Sequence, residues 1–394
     1  MQPLAVNHHS LVNALGRGTS ASLQGLRSAT SGLRRCDFLD VGIETYIGRV
    51  DGIEDEPVVA RLRAFDCRNN RLAMLGLAAD GFESAVAAAR ARYGAHRIAV
   101  IIGTSTSAIL ETEVAYRQRD AEGRLPGHFN FRTTHDNYSV TQFVRSYLGL
   151  QGPSMTISTA CSSSAKVFAS ASRLIQAGFC DAAVVGGVDS LCMTTLYGFA
   201  SLEVLSSRPC RPADADRSGI SIGEAAGFAL LEKTGDDDTP RLLGYGESSD
   251  AYHMSSPHPE GAGARRAMAS ALQRSGLGPE QIDYINLHGT ATRANDSAED
   301  LAVSGLFGSA TPCSSTKGWT GHTLGAAGIT EALLSCLCLR EGRLPASLNT
   351  VTVDPDFKMN VLLESRDQPV RHVLSNSFGF GGNNCSLVFG YPEK

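Results

Sequence analysis

Lysine is scarce in this chain. Of 35 basic residues only five are lysines, at positions 166, 233, 317, 358 and 394, so a lysine inside a motif says more here than it would in an ordinary composition. Positive charge is not in excess either. The 35 basic residues face 40 acidic ones, for a formal charge of -5, which excludes the broad basic field of a general nucleic-acid binder. The ten cysteines contain no CxxC pair, so neither the usual structural zinc spacing nor a thioredoxin-type motif is present. Unpatterned cysteines in a large chain fit a reducing, cytoplasmic setting. No run of about 18 apolar residues occurs, so no membrane span is expected. The start, "MQPLAVNHHSLVNALG", lacks the basic region and apolar core of a secretory signal. Neither GxGxxG nor a Walker motif is found. "GYGESS" (244–249) and "GFGGNN" (379–384) read as tight turns, the commonest use of glycine. No cofactor and no metal are expected.

What is present is an ordinary globular composition, 42% hydrophobic and 19% charged over 394 residues, long enough for a large core or two fused halves. Apolar, β-branched segments alternate with helical ones. Residues 97–105, 181–190, 227–232, 283–290 and 385–391 read as strands, several of them apolar on both faces, as in a sheet covered on both sides. Residues 71–91, 263–276 and 328–342 read as helices, with "CLCL" (336–339) as core. The class is α/β. A short polar connection at 232–242 is a seam within one compact unit.

Four stretches break the bland pattern. "STACSSSAKVFA" (158–169) places Cys161 between a strand-like run and a small-residue helix. Unpaired N–H groups and the helix dipole at such a seam stabilise a thiolate, although most free cysteines are inert core residues. "NLHGTATRAND" (286–296) places His288 at a strand end. "SSTKGWTGHTLGAAG" (314–328) places Lys317 and His322 in a small-residue loop before a helix. "SNSFGFGGNNCSLVFG" (375–390) places Phe378 and Phe380 in a glycine-rich turn before a strand.

Together with "CRPADADRSGISIGEAAGFALLE" (210–232), these stretches resemble, in order and over roughly residues 10 to 390, the elongating β-ketoacyl-acyl carrier protein synthases, the Cys-His-His condensing enzymes of the thiolase superfamily. The resemblance implies a thiolase-like fold of two similar halves in five αβαβα layers, residues 1–240 carrying the nucleophile and 241–394 the histidines, lysine and phenylalanine gate. It implies a decarboxylative Claisen condensation, extending an acyl chain by two carbons from malonyl-acyl carrier protein. Cys161 would take the acyl chain as a thioester. His288 and His322, as neutral donors, would hold the malonyl carbonyl as it becomes an enolate, and the backbone N–H groups of Cys161 and Phe380 would form a second oxyanion hole. Lys317 would set the charge balance of the site, with Glu331 in support. Thr290 and Thr292 match positions that bond the carrier's pantetheine arm, Phe380 matches a gate with Phe378 beside it, and Thr106 matches a position on the acyl channel. Asp296 and Glu299 match positions read as structural. Acyl carrier proteins are acidic, so Arg68, Arg71, Arg208 and Arg211 are candidate docking residues. The family's acyl channel runs toward a dimer interface, which implies a homodimer or a heterodimer with a related subunit.

Two departures stand out. The family's usual Thr-Asn after "GFGG" is Asn383-Asn384, and the connection at 201–217 is short. Both point to a specialised polyketide or polyene pathway over housekeeping fatty-acid synthesis. A non-catalytic chain-length-factor type of partner is disfavoured because Cys161, His288, His322 and Lys317 are all present. A degradative thiolase would need a second cysteine near the C-terminus, where only Cys385 stands, inside a predicted strand.

Overall fold

In the computed structural model, which describes residues 1–391, two stretches of chain trace the same path. The first supplies β1 (Leu4–Asn13), β2 (Ile98–Gly103), β3 (Ser154–Ile157), β4 (Ala182–Asp189) and β5 (Ala225–Glu232). The second supplies β6 (Arg241–Ser249), β7 (Tyr284–Asn286), β8 (Pro312–Ser314), β9 (His372–Gly379) and β10 (Asn383–Gly390). In each set the strands lie in the order third, second, fourth, fifth, first. The second, third and fourth are parallel, and the fifth runs antiparallel to both its neighbours. β1 and β6 touch only at Leu4–Leu242 and Ala5–Arg241, which joins the halves at one end. This duplication, not apparent in the residues themselves, gives the two similar halves of the thiolase-like fold.

Helices complete five layers. α1 (Arg68–Ala78), α2 (Phe82–Tyr93) and α3 (Tyr138–Tyr147) cover the outer face of the first half. α4 (Ser163–Gln176) lies between the halves. α5 (Ala262–Ser275) and α6 (Arg293–Phe307) cover the outer face of the second half, and α7 (Ala327–Glu341) joins α4 in the middle layer. Thirteen of the fifteen residues of α7 are buried, which is why its sequence is apolar on every side and not striped. The "CLCL" segment is core, as read.

Two expectations are corrected. The single helix expected at 71–91 is broken, because Asp80 and Gly81 adopt φ of 55° and 73°. The Asp80 carboxylate leaves the helix to accept Thr19 N at 3.0 Å and Thr19 Oγ1 at 2.9 Å, capping a neighbouring helix. The stretch Arg68–Tyr93 is long and apolar enough by composition to cross a bilayer, but charged residues interrupt it and half of its apolar part is buried in the protein. "GYGESS" is not a turn but lies in β6. A Cβ on Gly246 would sit 1.8 Å from Ala267 O, and one on Gly244 2.3 Å from Ala271 O. The glycines let α5 lie directly on the strand.

Candidate active site

Cys161 follows β3 through a sharp turn. Ala160 is left-handed, with φ of 51°, a conformation that persists only where the surroundings enforce it. Here the serines after the cysteine do so. Ser163 Oγ donates to Ala160 O at 2.5 Å and accepts from Thr159 N at 2.9 Å, while Ser162 Oγ donates to Thr159 O at 2.9 Å. The first turns of α4 and α7 then meet backbone to backbone. Ile329 N donates to Ser164 Oγ at 2.9 Å, and a Cβ on Gly328 would lie 2.3 Å from Ala165 N. The small residues at 162–164 therefore serve helix contact. Bulk there would push the inner helices apart.

His288 follows β7. Its N–H and that of Gly289 donate to Glu299 at 2.8 and 2.7 Å. Asp296 accepts from Ala213 N at 2.8 Å and Ala291 N at 3.2 Å. Both acids hold the loop, in keeping with their structural reading. Lys317 is fully buried beneath the site. Its Nζ donates to His288 O at 2.5 Å, lies 3.4 Å from His288 Nδ1 and forms an ion pair with Glu331 on α7. Burial lifts the Glu331 carboxyl to about 7, against the opposing pull of Lys317.

His322 completes the group. Its Nδ1 accepts from Leu324 N at 3.2 Å, and its Nε2 lies 3.0 Å from Cys161 Sγ. The Leu324 donor fixes the neutral ring as the Nε2–H tautomer, and the Lys317 ammonium does the same for His288. The two rings stand perpendicular, 5.4 Å apart. Burial first, then the charge of Lys317, holds both imidazoles well below the usual histidine range. They stay neutral near pH 7 and present N–H donors. One ring nitrogen of each histidine and Cys161 Sγ all lie within 4.8 Å of one another. A soft cation could bridge these atoms, but only by occupying the nucleophile and both donors.

The expected low thiol pKa is corrected. Burial pushes Cys161 up to about 11, opposed by Lys317 and by the N–H groups of Phe380 and Cys161. Desolvation outweighs the helix terminus because no charged partner touches the sulfur. In the resting protein the thiol is therefore protonated, and the thiolate fraction grows with pH. The rate of Cys161 alkylation by iodoacetamide is expected to rise about tenfold per pH unit between about 7 and 9, since only the thiolate reacts. A plateau below about pH 8 would contradict this ordering of burial over charge.

These groups open into a cavity of about 190 Å³. Thr290 and Thr292 stand at its wall, their hydroxyls 2.9 Å apart. Phe378 packs edge-on against His288 at 5.8 Å, and Phe380 lies 5.8 Å from Phe199 across the cavity. Cys161 is the only cysteine in the lining; Cys385 is buried in β10. Two expected substrate contacts lie elsewhere. Thr106 bonds Asp189 through its N–H at 3.0 Å and its hydroxyl at 2.8 Å. Asn383 lies 3.4 Å from Lys166 Nζ, and it is Asn384 that lines the cavity, donating to Asp250 at 2.8 Å. Among the four arginines, Arg68 is buried and paired with Glu224 at 2.6 Å, so it is withdrawn as a docking residue. Arg71 is held by Asp66 at 2.6 Å and Arg211 lies 3.7 Å from Asp214. Of the four, only Arg208 is exposed with no acidic partner among the described residues. Sequence reasoning missed Asp189, whose signal was a single acid closing an otherwise apolar strand.

Comparison with known proteins agrees with this geometry. Residues 69–237 match the description "Beta-ketoacyl synthase, N-terminal domain" and residues 240–351 "Beta-ketoacyl synthase, C-terminal domain". The 3-oxoacyl-[acyl-carrier-protein] synthase 2 of Staphylococcus aureus is 34% identical over 313 residues, 75% of this chain and 77% of that protein. The mitochondrial 3-oxoacyl-[acyl-carrier-protein] synthase of Arabidopsis thaliana is 41% identical over 262 residues, 61% of this chain and 57% of that protein. Among solved structures, the complex of a ketosynthase with its chain length factor from Xenorhabdus doucetiae contains a chain 40% identical with a TM-score of 0.91, covering 99% of this chain and 98% of that one. The ishigamide ketosynthase/chain length factor gives 25% identity and a TM-score of 0.88, covering 100% of both chains. A buried cysteine facing two neutral imidazoles, in a duplicated fold matched along its length, thus places this chain in the β-ketoacyl synthase family.

Proposed function

We propose that the protein condenses an acyl group held on Cys161 with malonyl-acyl carrier protein and lengthens the chain by two carbons. The observation that carries this reading is the convergence of His288 and His322, both neutral, on the space in front of Cys161 Sγ. The Cys161 sulfur attacks the incoming acyl thioester, the carrier thiol leaves with the proton, and acyl-Cys161 remains. Malonyl thioester then binds with its carbonyl oxygen against the two Nε2–H donors. Loss of CO2 leaves the C–C electron pair on carbon as an enolate, which those donors stabilise. The carbanion attacks the acyl carbonyl, whose oxygen is received by the N–H groups of Cys161 and Phe380. The Cys161 sulfur leaves and takes up a proton. Neutral histidines suit this chemistry better than charged ones, because an imidazolium would lose its proton to the enolate.

The partner is an acyl carrier protein, the substrate carrier in the names of the curated relatives. A related subunit is the second partner. β3 ends the sheet with an unpaired, half-buried edge, the kind of edge that recruits another chain. The similarity to structures that contain a chain length factor favours such a subunit over a lone chain. It also supports a specialised polyketide or polyene pathway, together with Asn383 in place of threonine. The Thr106 hydroxyl is taken by Asp189 and adds no support for a particular chain. A cytoplasmic setting is part of the proposal, supported by ten free thiols.

The test is mass spectrometry of the purified protein with acyl and malonyl carriers, alone and with a related subunit. The expected result is acyl-Cys161 followed by a carrier product two carbons longer. Absence of both in either format would overturn the reading.

A further inference from the structure

Asp189 closes β4 and is wholly buried. Its carboxylate meets six donors and, among the described residues, no cation. Oδ1 accepts from Thr104 Oγ1 at 2.5 Å, Thr106 N at 3.0 Å and Thr106 Oγ1 at 2.8 Å. Oδ2 accepts from Ser105 Oγ at 2.6 Å and Gly325 N at 2.6 Å, and Ser105 N lies 3.0 Å from both oxygens. Hydrogen bonds to a charged acceptor are about twice as strong as neutral ones, and this one joins three separate segments: the end of β4, the loop after β2 and the loop after His322.

The third segment gives the clamp its meaning. Gly325 also donates to Ser105 Oγ at 3.1 Å, and a Cβ placed on it would lie 2.6 Å from Asp189 Oδ2 and 2.6 Å from Ser105 N. The backbone is seated against the carboxylate with no room to spare. The preceding residue, Leu324, is buried and left-handed, with φ of 54°. It is the Leu324 N–H that fixes the His322 tautomer. A leucine in this conformation is strained and is kept only where its neighbours are pinned. Asp189 is the group that pins them.

We infer that Asp189 is a positioning residue for the condensation. By holding Gly325 it keeps Leu324 strained, keeps the Leu324 N–H on His322 Nδ1, and so keeps the His322 Nε2–H aimed at the reacting carbonyl and the Cys161 sulfur. Asp189 touches no reacting atom. Asparagine has the same shape but cannot replace it, because either orientation of the amide turns an NH2 toward a backbone N–H that needs an acceptor, Thr106 N on one side or Gly325 N on the other.

The inference rests on the role of His322, so the experiment carries one readout independent of turnover. Histidine 15N spectra of the wild type should show His322 as the Nε2–H tautomer, and Asp189→Asn should shift it toward Nδ1–H or a mixture. In the condensation assay, Asp189→Asn should lower kcat on the order of a hundredfold, the size expected for misplacing a catalytic group by about 1 Å, with KM for malonyl carrier changed less than about twofold. Thr104→Val, which removes a donor from Oδ1 but leaves Gly325 in place, is the control for lost stability and should keep kcat within about twofold. Should Asp189→Asn fail to fold, Ser105→Ala removes one of the two acceptors of Gly325 N, and a partial tautomer shift with a smaller loss of kcat is expected. An unchanged His322 tautomer in a folded Asp189→Asn or Ser105→Ala protein overturns the inference, whatever the wild-type activity. So does an equal fall of kcat in Asp189→Asn and Thr104→Val.

Discussion

Cys161→Ala is expected to end chain elongation altogether while leaving the fold intact. The sulfur is the one atom in the cavity able to form the acyl thioester, since no other cysteine lines it, and without that intermediate the enolate has nothing to attack. Alanine is smaller than cysteine and fits the left-handed turn at Ala160 without disturbing the serine hydroxyls that hold it. The melting temperature should stay within a few degrees of wild type, because the lost burial is about one small group. Malonyl decarboxylation is the informative remainder. The two imidazole donors are untouched, so CO2 release should persist in the alanine variant, measurable with labelled malonyl carrier. Continued elongation at a comparable rate would remove Cys161 from its role.

Alanine at either histidine is expected to lower decarboxylation by on the order of a hundredfold to a thousandfold, roughly 3–4 kcal/mol for one lost oxyanion donor. The structure separates the two in a second measurement. His322 Nε2 sits 3.0 Å from Cys161 Sγ, whereas His288 is fastened to Lys317. His322→Ala should therefore also slow acyl loading, by losing a donor to the forming thiolate, while His288→Ala should load at close to the wild-type rate. Burst-phase acylation and labelled CO2 release report the two steps. Equal loading in both variants would break the distinction, and near-normal decarboxylation in both would take the histidines out of the enolate step. Acidity gives a further check. Both rings are neutral when folded and would be free to protonate when unfolded, so the unfolded chain binds more protons below its ordinary histidine pKa. Stability should fall as pH drops through about 6.5, while the donors themselves stay in place.

The residues that carry chemistry were legible because each breaks a local pattern. A cysteine at a strand–helix seam, two histidines beside glycines and a rare lysine in a small-residue loop are all unexpected on packing grounds; the first three line one cavity and the lysine lies buried beneath it, against His288. What escaped was anything decided by a distant neighbour. The glycines of β6 look like turn residues until α5 is laid on them. Asp80 looks like a helix residue until Thr19 draws its carboxylate away. The thiol looked activated because a helix terminus is a local feature, whereas the burial that outweighs it comes from both halves of the molecule. Arg68 looked like a surface cation, and Glu224, 156 residues further on, makes it a buried one. Thr106 and Asp189 are the same case: the partner of each is 83 positions away.

The repeated strand order has a consequence for how such a protein can change. Cys161 stands at the junction between the third strand and the inner helix of the first half. Lys317 and His322 stand at the corresponding junction of the second. The nucleophile and one of its two donors, His322, are thus contributed by two copies of one structural position, facing each other across α4 and α7, while His288 comes from the end of β7. Either copy can lose its chemical groups without disturbing the other, because the helix contact that holds the halves together is made by small side chains and backbone. A duplicate chain that exchanged its cysteine for another small residue would keep its shape and its sheet edge, and would give up only the covalent step.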